Sequence, residues 1–354
     1  MINRRFDSLR FISIAISIKF FGIAFATLIF AEYTPLVDSQ LYLSGFYQGS
    51  SELRNNLVGW LAISLNYFGG PYLAYFAFAL ISILGVVYYF QTGGRRWPLL
   101  LPLLLPSTLV WSSIVGKEAI YIGFSGLATV VWSSYVIREL RWYEVLIVAV
   151  CLGVCFLLRP HYAIALLWLF LATFSLKRLG GGASALLVSL LAIGALSVYV
   201  FVWDELLWRG FTTIESSARA SRFELFRIVP MSVEGFREFK SYLPLGIFIG
   251  IVGPLPSEVL NRIEFLPFLM EGVLILSSPL MIYCWAIQHP PPQIAAFKRV
   301  FWWAVIPAVV ILMVIHAPFG LLNPGSAVRW RTNFEQIFYL APLLLLYRFK
   351  DSAR

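Results

Sequence analysis

Charged residues, cysteine and histidine are all scarce in this sequence of 354 residues. Only 13% of the residues are charged, whereas a soluble domain carries about a quarter. The chain holds three cysteines and three histidines. Cys151, Cys155 and Cys284 lie in apolar runs, and their spacing matches neither a disulfide framework nor a cysteine-based metal site. The composition argues against an ordinary soluble domain, and it points to no certain cofactor.

Apolar residues are abundant instead: 60% of the chain is hydrophobic and the mean hydropathy is +0.80. A bilayer core of roughly 30 Å needs about 20 apolar residues per helical span. Backbone polar groups must be satisfied within the segment in lipid, and the runs are continuous rather than alternating, so the spans are helices. The sequence therefore predicts an all-α, polytopic transmembrane helical bundle, with residues 1–354 forming a single integral membrane domain.

We predict ten spans, with uncertain boundaries. They are residues 11–31, 72–91, 98–115, 119–137, 143–158, 162–176, 183–203, 265–287, 300–316 and 334–347. The first run is longer than the apolar part of a secretory signal and lacks a clear small-residue cleavage site, so we expect a retained helix. Three prolines at four-residue spacing predict a kink in the span 98–115.

The basic residues orient these spans. They cluster in alternate connections, which predicts that those connections and both termini are cytoplasmic. The basic residues on this side include Arg4, Arg5, Arg10, Arg95, Arg96, Arg138, Arg141, Lys177, Arg178, Lys298, Arg299, Arg348, Lys350 and Arg354. Because topology accounts for the net charge of +9, we expect no nucleic-acid partner.

The longer connections then fall on the outer side, at residues 32–71, 204–264 and 317–333, and long ordered loops often carry function. Residues 244–256 are apolar but too short to span, which predicts a re-entrant or interfacial segment. The alternative is an eleventh span, which would place the C-terminus outside.

Most of the chemically active side chains lie at this predicted outer face. They are Asp38 after the first span, Lys117 and Glu118 between the third and fourth, Arg159 and His161 at the end of the fifth, His316 at the end of the ninth, and Arg329 and Arg331 before the last. No linear motif is specific; the signal is that acids, bases and phosphate-binding arginines converge on one membrane face.

Each of these residues also has a structural explanation. Glu118 could favour a helix N-terminus through the helix dipole, and Lys117 could extend to the interface. Arg159 could anchor a helix at the membrane surface. Arg329 and Arg331 flank Trp330, which is also typical of an aromatic belt at the membrane interface. Against that explanation, the two arginines alternate as in a strand or extended loop, so both guanidinium groups could face one way.

Two charged residues lie well inside predicted spans, away from their ends, where charges are costly and usually face a bundle interior or cavity. Lys19 is in the first span and Glu271 in the eighth. The topology places them in different leaflets, so we expect no direct ion pair. Glu271 is the nearer to the outer face and could border a cavity.

Several segments resemble the GT-C-like membrane glycosyltransferases and the bacterial exopolysaccharide or O-antigen polymerase group. PSTLVWSSIVGKEAI is similar to their proline-serine segment ending in a Lys-Glu pair, and LLRPHY resembles their Arg-Pro element. GPLPSEV resembles an FPWE-type segment, but with Gly253 for Phe and Ser257 for Trp. NPGSAVRWR resembles a late Gly-x-x-x-Arg-Tyr-Arg element, with Trp330 at the aromatic position. The likeness covers about residues 30–345.

The resemblance implies a polyprenyl-phosphate or polyprenyl-diphosphate sugar as donor, used at the outer face of a bacterial cytoplasmic membrane. Arg159, Arg329 and Arg331 would then bind the phosphate. Asp38 is the first candidate for general base, with His316 and His161 in reserve. Lys117 and Glu118 would orient the substrates.

The sequence is also compatible with two other functions and with one cofactor. The chain could be a flippase or transporter of lipid-linked glycans, or a non-catalytic scaffold that binds other glycan-assembly proteins. A divalent metal could bind Asp38 and Glu118, but oxygen ligands alone do not establish one. A transferase and a polymerase differ only in the size of the acceptor, and no residue of the sequence indicates that size.

Overall fold

The computed structural model of the protein describes residues 2–33, 36–47, 52–92, 94, 96–179, 233–322 and 324–351. Within these ranges all regular structure is helical, and no strand is present. The predicted all-α class is therefore confirmed for the described part of the chain. The chain divides into two compact units, the first formed by Met1–Leu166 with Thr332–Arg354 and the second by Leu167–Arg331.

The helices are numbered in chain order. They are α1 (Ile2–Ala24, continuing through a π-helical turn to Tyr33), α2 (Val37–Ser44), α3 (Leu53–Ser82), α4 (Leu84–Gln91), α5 (Pro106–Trp111), α6 (Lys117–Ile137), α7 (Trp142–Leu158), α8 (Pro160–Arg178), α9 (Val233–Val252), α10 (Pro256–Asn261), α11 (Leu266–Gln288), α12 (Ile294–Val300), α13 (Ile306–Leu322), α14 (Pro324–Arg331) and α15 (Ala341–Asp351).

By length and composition, five helical stretches of the described chain can cross a membrane. They are Asp7–Tyr33, Lys117–Ile137, Pro160–Arg178, Ile263–Gln288 and Ile294–Leu321. A sixth would be α3 with α4, which are bent by 51° at their junction. The chain thus has the apolar helices of a multi-pass membrane protein. These stretches match six of the ten predicted spans.

The other four spans are not matched in this way. Residues 98–115 form a 3-10 helix, Trp97–Leu104, followed by the short α5, because closely spaced prolines interrupt the α-helical hydrogen bonds. Helix α7 has 17 residues and is shorter than the five candidates. Residues 334–347 lie mainly in a π-helical turn and α15. Residues 183–203 lie outside the described residues, so ten spans remains a prediction.

The connections predicted on the outer side are largely helical. Residues 32–71 contain α2 and the first part of α3, which breaks where Gly70 adopts a left-handed φ of +75° before Pro71. Residues 317–333 are covered mostly by the end of α13 and by α14. Part of 204–264 lies outside the described residues. The apolar segment 244–256 includes the end of α9, a break at Gly253–Pro254 and the start of α10; its depth in a membrane stays a prediction.

Glycines let the helices of each unit approach closely. In the first unit, a Cβ on Gly123 of α6 would lie 1.9 Å from the carbonyl oxygen of Ile81. In the second, a Cβ on Gly320 of α13 would lie 2.4 Å from the backbone nitrogen of Gly250 in α9. Small residues at helix contacts permit this packing in membrane proteins. The close contact at Gly123 fixes the position of α6, whose first turn carries two of the predicted site residues.

Candidate functional site

A buried ion pair joins Glu118 and Arg159 in the first unit. Glu118 lies in the first turn of α6, where the positive end of the helix dipole favours an acid. Arg159 ends α7, directly before Pro160. The Arg159 Nη2 donates to Glu118 Oε1, and the exposed fractions of the two side chains are 5% and 2%. Removing either partner would leave a buried charge uncompensated, so the pair fixes the turn before α6 against the end of α7.

Lys117 links this pair to the start of α3. Its Nζ donates to Oδ1 of Asn55 at 2.8 Å, and the hydroxyl of Tyr42 donates to the same oxygen at 3.3 Å. The amide nitrogen of Asn55 donates in turn to Oε2 of Glu52 at 2.8 Å. Side chains from α2, α3 and α6 therefore meet in one hydrogen-bonded cluster.

Glu52 was missed by the sequence analysis, yet it is the accessible carboxylate of this cluster. Arg54 binds it through two hydrogen bonds of 2.9 Å. These hydrogen bonds are the largest effect holding the pKa of Glu52 below its usual value; burial opposes them, and the charges of Arg54, Lys117 and Arg159 add to them. Because the charges of Lys117 and Arg159 both act on Glu52, Glu52 lies close enough to the Glu118–Arg159 pair to interact with it electrostatically.

His161 lies two residues beyond Arg159, in the first turn of α8. Its Nε2 is buried and has no hydrogen-bond partner among the described residues. Arg159 and Arg54 both act electrostatically on the ring. A buried ring nitrogen without a partner is rare in proteins, and a functional role or a bound water is among the explanations for one.

Asp38 lies on α2, which a hydrogen bond holds beside the turn before α6. The neighbouring Ser39 donates to the carbonyl oxygen of Val115 at 2.7 Å. Asp38 itself is half-buried. We call Asp38, Asn55, Lys117, Glu118, Arg159 and His161, together with Glu52 and Arg54, the outer cluster. Thus five predicted site residues belong to neighbouring elements of one unit.

The remaining predicted site residues belong to the second unit. Arg331 is fully buried, and its guanidinium group donates to the carbonyl oxygens of Ile251, Gly253 and Phe268 at 2.8, 2.6 and 2.7 Å. Its Nη2 lies 3.4 Å from Oε2 of Glu271. Arg331 therefore ties the end of α9 to α11.

Two predictions about these arginines need correction. Arg329 and Arg331 lie in the helix α14 instead of an extended loop. Side chains two residues apart on a helix point about 200° apart, so the two groups do not share a face. Arg329 is half-buried, whereas Arg331 is fully buried. Glu271 lies beside this buried arginine, and its place at the border of a cavity stays a prediction.

His316 is also fully buried in the second unit. Its Nε2 lies 3.2 Å from the carbonyl oxygen of Ala327, so this nitrogen carries a proton and donates it there. The other ring nitrogen, Nδ1, is then the one that could accept a proton, so the role of His316 as a base stays a prediction.

The interior of the first unit contains a second buried polar group, a network of four side chains of which the sequence analysis identified only Lys19. The Lys19 Nζ donates to the hydroxyl of Ser112, which donates to the carbonyl oxygen of Thr108. The Thr108 hydroxyl donates to Glu335, whose charge acts on Lys19. Each of these four side chains is at most 1% exposed. The signal that could have revealed Glu335 is the polar run TNFEQ before an apolar segment.

Among the described residues, no group of three or more His, Cys, Asp and Glu side chains is arranged to hold a metal ion. Glu118 already accepts a hydrogen bond from Arg159, so its carboxylate is not a free ligand. The divalent metal at Asp38 and Glu118 stays a prediction.

Comparison of the chain with protein-family models, with curated proteins and with solved structures finds no match. The assignment of a function therefore depends on the side chains themselves.

Proposed function

We propose that the chain is a membrane glycosyltransferase or oligosaccharide polymerase that uses sugars linked to polyprenyl phosphate or diphosphate in surface-polysaccharide synthesis. The observation that carries the proposal is the outer cluster. Four predicted site residues, Lys117, Glu118, Arg159 and His161, come from the adjoining ends of α6, α7 and α8, and Asp38 lies on the α2 helix held beside them. Such a gathering of acids, cations and an unsatisfied imidazole is typical of an active site.

The transfer that these residues would support is a substitution at the anomeric carbon of the donor sugar. The acceptor hydroxyl oxygen forms a bond to that carbon, and the bond from carbon to phosphate oxygen breaks. The polyprenyl phosphate or diphosphate leaves with the bonding electrons, and the hydroxyl proton passes to a base. Catalysis needs cations at the leaving group and a proton acceptor at the hydroxyl.

Lys117 and Arg54 are the cations of the cluster best placed for the leaving phosphate, because both are only partly buried. Their partners, Asn55 and Glu52, hold them in place. Arg159 is less accessible and is tied to Glu118, so we assign this pair to positioning of Lys117 at the start of α6. The phosphate role first given to Arg159 thus moves mainly to its neighbours.

Asp38 is the proposed general base, since it is half-buried on the helix beside the cluster. His161 is the second choice because its Nε2 has no hydrogen-bond partner among the described residues. In the second unit, Arg331 and Glu271 are proposed to stabilise the fold around α9, whereas the half-buried Arg329 retains a proposed substrate contact.

The setting of the reaction is also part of the proposal. We propose cytoplasmic N- and C-termini and a cluster on the outer face of a bacterial inner membrane, and the basic residues of the opposite connections support this orientation. A polyprenyl donor keeps its phosphate at headgroup depth. The cluster lies at one end of the 21-residue apolar helix α6. If α6 crosses the bilayer, its ends lie at headgroup depth, where such a donor would present its phosphate.

One observation favours a second candidate, a flippase or transporter of lipid-linked glycans. The buried network of Lys19, Ser112, Thr108 and Glu335 places opposite charges inside the first unit. Transporters place ionisable groups in the interior of the bundle, where they bind substrates or relay protons.

Mass spectrometry of polyprenyl-linked glycans in a strain lacking the protein separates these functions. A lipid-linked unit truncated by one sugar identifies a monosaccharide transferase. A single complete repeat unit on the outer face identifies a polymerase. A complete unit retained on the cytoplasmic face identifies a flippase and contradicts the proposal.

A further inference from the structure

A cavity of about 440 Å³ lies in the first unit beyond the C-terminal end of α6. Helix α6 has 21 residues, which corresponds to about 30 Å at 1.5 Å per residue, so the cavity is about one bilayer thickness from Glu118. Its lining residues are Tyr88, Thr92, Ser134, Ile137, Arg138, Arg141, Tyr143, Glu144, Arg348 and Asp351. The volume falls in the range of small-molecule sites, about 300–1,000 Å³.

Both acids of the cavity are already neutralised. Arg138 binds Glu144 through two hydrogen bonds of 2.7 and 2.5 Å, and the backbone nitrogen of Arg141 donates to the same carboxylate at 2.9 Å. The hydrogen bonds between Arg138 and Glu144 and the negative charge of Glu144 also raise the pKa of Arg138. Asp351 pairs with Arg96 at 2.5 Å. Neither carboxylate therefore forms an ion pair with the guanidinium groups of Arg348 and Arg141, although both act on Arg348 at longer range.

The guanidinium groups of Arg348 and Arg141 have only neutral hydrogen-bond partners in the described part of the chain. Arg348 donates from Nε to the Ser133 hydroxyl at 3.3 Å and from Nη2 to the Ser134 hydroxyl at 2.9 Å. Arg141 donates to the Tyr143 hydroxyl at 2.8 Å. Neither guanidinium group has a carboxylate within 4.0 Å among the described residues.

The cavity thus carries an excess of positive charge. Arg348 is half-buried, and its direct contacts are two serine hydroxyls and the Tyr89 ring at 5.9 Å. Asp351 and Glu144 act on it only at longer range, and each is already paired with another arginine. Burial lowers the pKa of Arg348, the direction expected for a cation that water solvates poorly. A bound anion would remove this imbalance.

We propose that this cavity binds a phosphate-bearing anion through Arg348 and Arg141. A guanidinium group presents a planar fork of donors that matches phosphate oxygens, and Arg binds phosphate more specifically than Lys does. The hydroxyls of Tyr143, Tyr88 and Thr92 supply neutral groups around the same volume. The anion is either a soluble phosphate ester or the headgroup of an anionic phospholipid, which share this chemistry. The site is separate from the outer cluster and does not depend on the proposed glycosyl transfer.

Binding to the full-length protein in nanodiscs tests the proposal with two probes. The first is inorganic phosphate, titrated by calorimetry against protein in nanodiscs of neutral phosphatidylcholine. The second is phosphatidylglycerol, mixed into the nanodiscs and measured by native mass spectrometry as lipid retained on the protein. The variants are Arg348→Gln and Arg141→Gln, and Arg10→Gln is the matched control because Arg10 is exposed in the same unit and does not line the cavity.

Each cavity variant is expected to weaken binding of one probe by about tenfold or more, the typical effect of losing a charge-assisted hydrogen bond. The control should leave binding unchanged. A loss confined to inorganic phosphate identifies a soluble phosphate ester, and a loss confined to phosphatidylglycerol identifies a lipid headgroup. If Arg348→Gln does not fold, the exposed Arg141 decides the outcome. The proposal is overturned if neither probe binds, or if Arg141→Gln and Arg10→Gln bind both probes as the unaltered protein does.

Discussion

Each unit contains a buried arginine paired with a glutamate, but the two pairs have different surroundings. Arg331 of the second unit donates to three backbone carbonyls besides lying near Glu271. Arg159 of the first unit binds Glu118, and side chains that can titrate or bind anions lie next to it. The residue types are the same in both pairs, so they do not distinguish a structural pair from a functional one. The groups that surround each guanidinium group make this distinction.

The surroundings of Arg331 predict the largest effect on stability. Arg331→Ala removes three hydrogen bonds to carbonyls and leaves Glu271 buried without its cation. Breaking a buried pair in this way costs about 3–5 kcal/mol. We expect a matching loss in the free energy of unfolding, measured by denaturant titration in detergent micelles. The control is Arg329→Ala, a half-buried arginine of the same helix, with an expected cost of about 1 kcal/mol. Equal stability of the two variants would mean that Arg331 does not hold α9 and α11 together.

Lys117 should show the opposite behaviour, with a large effect on activity and a small one on stability. Lys117→Ala removes a partly exposed cation from the proposed leaving-group site, so we expect sugar transfer to fall by about 100-fold or more. The measurement is the rate of transfer from a polyprenyl-linked donor by the purified protein, with the unfolding curve recorded beside it. Lys298→Ala, an exposed lysine in the second unit, is the matched control. Transfer at the unaltered rate would remove Lys117 from the site.

The packing that supports the outer cluster can be tested at Gly123. A Cβ there would lie 1.9 Å from the Ile81 carbonyl oxygen, so Gly123→Ala should destabilise the protein by about 1–3 kcal/mol, the usual cost of overpacking. Gly153 of α7 has no atom within 4 Å of such a Cβ, so Gly153→Ala should be neutral or stabilising by up to about 1 kcal/mol. Thermal unfolding of the two variants measures the difference. The same shift for both would contradict the close contact between α6 and the end of α3.

The smallest expected effect is a pH dependence from Glu52. Because Arg54 holds the pKa of Glu52 below its ordinary value of 4.5, the folded protein gains stability from this carboxylate above that pH. The gain is lost as the pH falls through the lowered pKa, because the carboxylate then binds a proton. Glu52 is about half exposed, so the contribution should stay below about 1 kcal/mol.

Unfolding midpoints between neutral and acidic pH measure this contribution. Glu52→Gln should lose less stability on acidification than the unaltered protein does, whereas the exposed Glu32→Gln should follow the unaltered protein. Identical pH profiles for the unaltered protein and Glu52→Gln would show that the hydrogen bonds with Arg54 do not form.

The features that the sequence predicted correctly are those fixed by local physics. Long apolar runs must be helices in lipid, so the helical class and the five or six candidate membrane helices could be read directly from the sequence. Lys117 and Glu118 lie at a helix start, and Arg159 lies before a proline at another helix end, so their placement at element termini was predictable. Because such termini meet at the ends of a helical bundle, the gathering of Lys117, Glu118, Arg159 and His161 could be expected.

The features that were missed depend on contacts distant in sequence. Arg331 appeared suited to phosphate because its partners, three backbone carbonyls, leave no side-chain signature. The partnership of Lys19 with Glu335 joins residues more than 300 positions apart, which spacing cannot reveal. The start of α3 was taken for a loop because its polar residues Glu52, Arg54 and Asn55 interrupt the apolar pattern, although they form the hydrogen bonds of the cluster.

The most direct test of the central claim, that the outer cluster carries out sugar transfer, compares Glu118→Gln with Glu139→Gln. The first variant breaks the ion pair at the start of α6, and the second neutralises an exposed acid just beyond the other end of that helix. Each is expressed in the strain lacking the protein at matched levels of folded protein, and polyprenyl-linked glycans are measured by mass spectrometry. The account predicts that Glu118→Gln accumulates the same lipid-linked glycan as the deletion strain and that Glu139→Gln does not. A folded Glu118→Gln variant with the glycan profile of the unaltered protein would contradict it.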